Sequence, residues 1–182
     1  MKFQELKQEI EIPQGIEASI EDNLVKIKGP KGENQRAFHY PKIKIFKQDN
    51  KIILSAKNAT KKEKTMMGTI TSHIYNLIKG VDQGFIYKLK ICSGHFPMKV
   101  VIEGNKVLIN NFLGEKIPRK ANIISGVKVK IEGSEILLEG IDKESVAQTS
   151  ANIELATRIT NRDRRVFQDG CYIISKDGKE II

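Results

Sequence analysis

The chain has 182 residues, of which 40% are hydrophobic and 29% charged, so it can form two small domains with ordinary cores. Its net charge of +9 favours a polyanionic partner, either nucleic acid or an anionic membrane, over a merely basic protein without one. Two cysteines exclude a disulfide framework, and neither a signal peptide nor an apolar run long enough for a membrane helix is present. We therefore expect a cytoplasmic protein with no membrane partner.

The first predicted strands lie in residues 20–27 and lead into a glycine-rich turn, Gly29-Pro30-Lys31-Gly32. This turn lacks the G-x-x-x-x-G-K-[ST] pattern of a phosphate-binding loop. Proline presets φ and glycine allows positive φ, so the segment predicts a tight turn at the end of a strand. Lys31 at its tip is still available to a phosphate group.

A lysine-rich segment follows between Lys42 and Lys64, with Asp49 and Glu63 as its only acidic residues. Alternating lysine and isoleucine at residues 42–45 predicts a strand, and residues 52–54 predict its partner across a polar turn. The lysines suit an RNA-binding surface and equally suit a charged sheet edge that resists aggregation. The sequence does not separate these two alternatives.

The first predicted helix begins at a capping box, with Thr60 as N-cap and Glu63 at the third helical position. Gly80 is the predicted terminator. Five apolar residues recur at helical spacing, which predicts a face packed on the core rather than on a partner or membrane. They are Met67, Ile70, Ile74, Leu77 and Ile78.

The second half repeats the first. Residues 102–109 match residues 20–27 in register, and the pair Gly114-Glu115 recurs at the spacing of Gly32-Glu33. Further strands at residues 127–129 and 136–138 repeat the lysine-rich strand pair. A second helix then begins with Asp142 as N-cap and carries a thinner apolar stripe. The stripe comprises Val146, Ile153, Ala156 and Ile159.

This repeat predicts the fold class α+β. We expect two tandem similar domains, each a small antiparallel sheet packed on one helix, plus a C-terminal tail. The predicted domains are residues 1–85 and residues 86–182. The tail begins after Asn161, where the repeat is exhausted.

Four arginines mark the exit from the second helix: Arg158, Arg162, Arg164 and Arg165. A guanidinium group can bind phosphate bidentately and stack on bases, so this cluster favours RNA. The alternative is local: arginines at a helix end suit the helix dipole, and Arg162 or Arg164 could pair with Asp163. Phe167 is a base-stacking candidate, although packing against its own domain is favoured.

No catalytic constellation is evident around His39, His73 or His95. Cys92-Ser93-Gly94-His95 has C-x-x-H spacing but no second ligand pair, which disfavours zinc. An enzyme using His95 and Cys92 would need a reactive thiol and is the least favoured hypothesis. We expect no enzyme activity, no metal, no cofactor and no small-molecule substrate.

The stretch at residues 165–173, RVFQDGCYI, directly follows the helix and the arginines. It resembles the closing signature of the universal large-subunit ribosomal protein number six family, in its archaeal and eukaryotic branch. Residues 29–33, 84–90, 95–100 and 111–119 are similar to the family's first-domain turn, domain junction and second-domain hairpin. The resemblance covers the chain in order, with Cys171 standing where an aliphatic residue is more usual.

The resemblance implies two similar α+β domains and a structural constituent of the large ribosomal subunit that supports translation. It implies binding to large-subunit rRNA, mainly through the second domain and tail, near the region where translation factors dock. We expect a monomer within the ribosome, beside neighbouring large-subunit proteins. The expected RNA-binding residues are Arg158, Arg162, Arg164, Arg165 and Lys176, extended by Lys88, His95, Lys99, Lys116 and Arg119.

A second hypothesis also remains open. A basic tandem-domain module could join protein partners through the lysine-rich first half, with RNA binding incidental.

Overall fold

The computed structural model describes residues 3–94 and 96–181. The chain divides into two compact units, Met1–Gly84 and Phe85–Ile182. In the described part, no helix is both long enough and apolar enough to cross a membrane.

The first unit contains two three-stranded antiparallel sheets and one helix over its described residues. The first sheet has the order β1-β6-β5 and the second the order β2-β3-β4. The elements are β1 Phe3–Glu11, β2 Glu17–Glu21, β3 Leu24–Gly29, β4 Gly32–Ala37, β5 Lys44–Gln48, β6 Lys51–Ala59 and α1 Lys61–Asp82.

The core of the first unit forms where the apolar face of α1 meets the sheets. Alternate residues of β3, Val25 and Ile27, are fully buried, as expected for a strand with one covered face. All five apolar residues predicted on the helix face, from Met67 to Ile78, are buried. The prediction that this stripe is core is therefore confirmed.

Helix α1 begins as predicted but ends later. The backbone N–H of Thr60 donates to Glu63 Oε2 at 2.8 Å, which is one half of the capping box. Gly80 is wrong as the terminator, because it lies buried inside the helix. Val81, fully buried, keeps the chain helical, and the left-handed residue is Gly84, with φ of +71°.

Part of the lysine-rich segment of the first unit has a structural role in the fold. Strand β5 is an edge strand, so its lysines occupy the position where charge prevents edge-to-edge pairing. Lys42 and Lys51 form ion pairs with Glu63 and Glu9, at 3.3 and 2.9 Å. These observations favour the sheet-edge alternative.

The second unit repeats this arrangement and extends it. Its strands β7, β12 and β11 are ordered like β1, β6 and β5, and β13 and β14 continue the sheet beyond β7. A separate sheet has the order β10-β9-β8. The elements are β7 Phe85–Cys92, β8 Lys99–Glu103, β9 Lys106–Asn110, a 3-10 turn Phe112–Gly114, β10 Arg119–Asn122, β11 Lys128–Glu132, β12 Glu135–Gly140, α2 Lys143–Ala156, β13 Gly170–Lys176 and β14 Lys179–Glu180.

Helix α2 starts where the sequence predicts. The Asp142 carboxylate accepts hydrogen bonds from the N–H groups of Glu144 and Ser145, at 3.3 and 3.0 Å. Val146 and Ile153 are fully buried against the sheet. The helix ends at Ala156, and Ile159, also buried, lies beyond it.

The α+β prediction with two tandem repeats is confirmed, with two differences. Over its described residues each unit has two sheets rather than one, because the division of strands between sheets depends on pairings between residues far apart in sequence, such as β1 with β6 and β7 with β12. The predicted tail is also more than a tail, since β13 pairs antiparallel with β7 inside the five-stranded sheet. Cys171 on β13 is fully buried and acts as a small core residue.

Candidate nucleic-acid interface

The arginine segment, residues 158–165, connects α2 to β13 and is anchored at both ends. On one side, the Thr157 hydroxyl accepts the N–H of Cys171 at 2.9 Å, and Ile159 is buried. On the other side, buried Asp169 accepts the N–H of Gly94. The exposed arginines therefore sit on a segment whose ends are fixed in the second unit.

Arg165 is the arginine that pairs locally. Its Nε and Nη2 donate to the Asp163 carboxylate, with Nη2 2.8 Å from Oδ2. Hydrogen bonds from Arg165 lower the pKa of Asp163, and the same bonds raise the pKa of Arg165. The sequence offered Arg162 or Arg164 as the partner. Arg165 takes that place because its backbone N–H also bonds Asp163 Oδ1, at 2.9 Å.

Arg162 lies over the ring of Phe167, with its guanidinium carbon 4.8 Å from the ring centroid. Phe167 is partly buried and packs against the core of the second unit, which is the outcome that the sequence favoured. The Arg162 guanidinium therefore makes a cation–π contact with a ring that is held by the core, while the Arg162 side chain stays exposed.

Arg158 and Arg164 are exposed and donate no side-chain hydrogen bond to any residue in the described ranges 3–94 and 96–181. No ion pair involves either guanidinium there. Both groups therefore keep their donors available for an external anion.

Arg119 is different, because its donors are used inside the unit. Its Nε and Nη2 bind both carboxylate oxygens of Glu115, at 2.8 and 2.6 Å. Its Nη1 donates to the carbonyl oxygens of Ala156 and Arg158, at 3.0 and 3.1 Å, and its guanidinium lies 4.2 Å from the Phe112 ring centroid. The hydrogen bond from Arg119 lowers the pKa of Glu115.

This geometry corrects the helix-dipole interpretation of the arginine cluster. The last turn of α2 contains no basic residue, so the cluster lies beyond the helix. The cation that binds the carbonyl groups at the helix end is Arg119, 37 residues away from Ala156 in sequence.

The remaining predicted residues are more scattered. Lys88 on β7 and Lys176 on β13 lie on neighbouring paired strands, and both are exposed. Lys88 lines a groove together with Glu135 and Glu180. Lys99 begins β8 and Lys116 follows the 3-10 turn, and both are exposed. The predicted residue His95 lies outside the described residues.

Sequence reasoning gave no role of their own to two residues beside the arginine segment, Leu155 and Tyr172. Both are large apolar side chains with substantial exposure, 58% and 40%. Tyr172 alternates with the inward-facing residues Cys171 and Ile173 along β13, and that strand alternation is the signal that could have found it.

Neither cysteine chemistry nor metal binding is suggested by the described residues. Burial raises the pKa of Cys171 to about 12, so its thiol stays protonated and unreactive at neutral pH. Within residues 3–94 and 96–181, no group of His, Cys, Asp and Glu side chains is arranged to hold a metal ion. The C-x-x-H motif extends to His95, outside those ranges.

The chain thus contains two copies of one α+β fold, and the second copy carries exposed basic side chains on the segment between α2 and β13. The model of the ribosomal protein L6 family matches residues 12–84 and 96–170, one match in each unit. The chain belongs to this family, which comprises ribosomal proteins and not enzymes.

Curated relatives agree over nearly the whole length. Large ribosomal subunit protein uL6 from Methanobrevibacter smithii is 48% identical over 172 residues, covering 94% of this chain and 97% of the relative. The protein of the same name from Sulfurisphaera tokodaii is 49% identical over 178 residues, covering 97% and 96%. That from Aeropyrum pernix is 48% identical over 169 residues, covering 92% and 93%. These relatives confirm the resemblance to the archaeal branch.

Proposed function

We propose that the protein is a structural constituent of the large ribosomal subunit in the cytoplasm and binds large-subunit rRNA through its second domain, residues 86–182. The names of the near-full-length relatives support the ribosomal role. The net charge of +9 supports a polyanionic partner. In this proposal the protein is a monomer beside neighbouring ribosomal proteins, close to where translation factors dock.

The observation that carries the proposal is the state of the arginine segment. Among the described residues, no acceptor binds the side-chain donors of Arg158 or Arg164. Arg162 is supported on Phe167, and the segment is anchored at both ends. Because the two ends of the segment are already held, less backbone conformational entropy is lost when a phosphate binds. Phosphate contacts of this kind fix the position of a protein, while RNA shape supplies the specificity.

The ten predicted residues divide by role within this proposal. Arg158, Arg162 and Arg164 bind phosphate directly, and Arg165 does so by exchanging Asp163 for phosphate. Arg119 uses four of its five guanidinium N–H groups on Glu115 and on the end of α2, so it contributes no more than one hydrogen bond to the RNA. Exposed lysines and one histidine extend the contact around the segment: Lys88, His95, Lys99, Lys116 and Lys176.

The test is the triple variant Arg162→Ala, Arg164→Ala and Arg165→Ala, titrated with purified large-subunit rRNA at several salt concentrations. Removing one arginine–phosphate ion pair should reduce the slope of log K against log salt by about 0.7–0.9, so for three arginines we expect a slope shallower by about 2.1–2.7 and a clearly weaker affinity.

The matched control variant replaces three exposed lysines of the first unit: Lys44→Ala, Lys57→Ala and Lys62→Ala. It therefore loses the same positive charge as the arginine variant. It should change the slope much less. The assignment fails if the arginine variant binds like the wild type, or if both variants show the same decrease in affinity and slope.

A further inference from the structure

A pocket of about 240 Å³ lies where the last turn of α2 meets β13. Its walls include Leu155 and Tyr172, with Arg158 and Arg164 beside them. The two arginines whose donors have no partner in the described part of the chain therefore flank the same small cavity as the two exposed apolar side chains.

The apolar walls of the pocket are exposed to solvent. Leu155 is 58% exposed and Tyr172 is 40% exposed, so two large apolar side chains meet water at one place. Covering them with another flat apolar group would be favourable, at about 25 cal/mol per Å² of apolar area removed from water. A ligand with an apolar ring fits this surface.

The electrostatics of the pocket favour a ligand that also carries negative charge. Burial raises the pKa of Tyr172, and the nearby positive charge of Arg164 acts in the opposite direction. Tyr172 is thus a neutral ring next to a cation. Glu154 also lines the pocket, but its Oε1 accepts the N–H of Ile173 at 3.2 Å.

The walls are held in place by hydrogen bonds to β13. The Thr157 hydroxyl accepts the N–H of Cys171 at 2.9 Å and donates to the Glu154 carbonyl at 3.1 Å. The Tyr172 hydroxyl donates to the Asp169 carbonyl at 3.3 Å, which restrains the ring. The pocket is therefore formed before any ligand arrives.

We propose that this pocket receives a single unpaired nucleotide of RNA, with its base against Tyr172 and Leu155 and its phosphates on Arg158 and Arg164. The inference rests on the proposed RNA-binding function and adds that the RNA is unpaired where it meets this pocket. A paired base in a helix is stacked on both faces and cannot enter, whereas an unpaired base offers a free π face.

The chain has no tryptophan, so Tyr172→Trp introduces a unique fluorophore at the pocket. The probes are a single-stranded RNA of roughly 10 nucleotides, within the usual range of site sizes, and a blunt duplex of the same sequence. We expect the single strand to quench the tryptophan emission of the full chain and the duplex to leave it nearly unchanged. Equal quenching by both probes would overturn the inference.

Two further variants measure the contribution of the pocket. Stacking of one base contributes roughly 1–3 kcal/mol, so Tyr172→Ala should weaken single-strand affinity by about 5- to 150-fold and duplex affinity by less than about 2-fold. Leu155→Ser should act in the same direction and provides the test if the tyrosine variant folds poorly. The control is Tyr75→Ala, at an exposed tyrosine of α1, which should change neither affinity.

The outcomes separate this inference from the proposed function. If the wild type binds neither probe nor large-subunit rRNA, the proposed function itself fails. If it binds rRNA but the two pocket variants keep full affinity, or weaken single-strand and duplex binding equally, only the nucleotide pocket is overturned. The nucleotide pocket would also be overturned if residue 172 crosslinked to another protein instead of to RNA while RNA affinity was retained. That result would indicate a protein contact at this surface.

Discussion

Arg119 and Arg164 show how two residues of one type take different roles in the same unit. Arg119 uses its planar fork on Glu115 and on two carbonyl groups at the end of α2, so it stabilises the protein itself. Arg164 makes no such bond in the described structure and keeps its donors for an external anion. Charge alone did not distinguish them, because the distinction lies in what surrounds each side chain.

Glu63 is the residue for which the structure predicts a pH effect. Hydrogen bonds from Thr60 lower the pKa of Glu63 to about 2, with Lys42 adding to the shift. A carboxyl whose folded pKa is lowered stabilises the folded state above its ordinary pKa range. That stabilisation is lost as the pH falls from about 4.5 towards 2.

The test compares the wild type with Glu63→Gln in urea denaturation between pH 6 and about 2.5. The free energy of unfolding of the wild type should fall more steeply over this range, so the two curves should converge at low pH. Glu33→Gln, at an exposed residue of β4, is the control and should leave the pH profile unchanged. Parallel curves for the wild type and Glu63→Gln would contradict the expected role.

At the scale of the elements, each unit supports the C-terminal end of its helix with a hairpin. In the first unit the turn between β3 and β4 supplies Lys31, whose backbone N–H donates to the Val81 carbonyl at 2.9 Å and whose ammonium group donates to the Gln83 carbonyl. In the second unit Arg119 on β10 donates to the carbonyl groups at the end of α2. The glycine-rich turn therefore has a structural role in capping α1.

This contact explains Gly29 and gives a prediction at the same scale. A Cβ at residue 29 would lie 2.9 Å from both Cγ2 and the carbonyl oxygen of Val81. Gly29→Ala should therefore force the turn away from the helix and destabilise the protein by about 1–3 kcal/mol in denaturant unfolding.

The matched control is Gly68→Ala in α1, where a Cβ meets nothing within 4 Å. Alanine is the better helix former, so this change should stabilise the protein by roughly 0.5–1 kcal/mol. The packing argument would be wrong if the two substitutions had effects of the same sign.

The whole molecule consists of one architecture used twice, with an addition to the second copy. In the first unit, β1 ends its sheet in the described structure, and charged side chains such as Glu5 and Lys7 lie along it. In the second unit, β13 covers the corresponding edge of β7. The arginine segment is the connection that brings β13 there, so the proposed RNA contact and the extra strand are one addition.

Truncation tests this view of the C-terminal region. A chain ending at Asn161 lacks β13, which exposes the edge of β7 and part of the core of the second unit. We therefore expect β7 and β12 to lose their protection against amide hydrogen exchange, while β6 in the first unit keeps its protection. A chain ending at Gly178 lacks only β14 and should keep protection in both units. Retained protection of β7 in the shorter chain would show that residues 162–182 are a dispensable tail.

The sequence by itself determined the features that depend on local pattern. The repeat was found by matching residues 20–27 with residues 102–109. The capping box of Thr60 and Glu63, the N-cap of Asp142 and the buried stripe of α1 depend on spacings of a few residues, so periodicity and cap chemistry sufficed. The closing signature at residues 165–173 identified the family for the same reason, because its residues are contiguous.

Only the tertiary structure decided the features that depend on distant residues. Arg119 reaches Ala156, Thr157 meets Cys171, and β13 joins β7, and no local spacing encodes these pairings. The helix passes Gly80 because burial of Val81 outweighs the preference of one glycine. Packing also decides which arginines keep available donors and places two of them beside Tyr172. The reason is that the availability of a donor depends on every acceptor that folding brings near it.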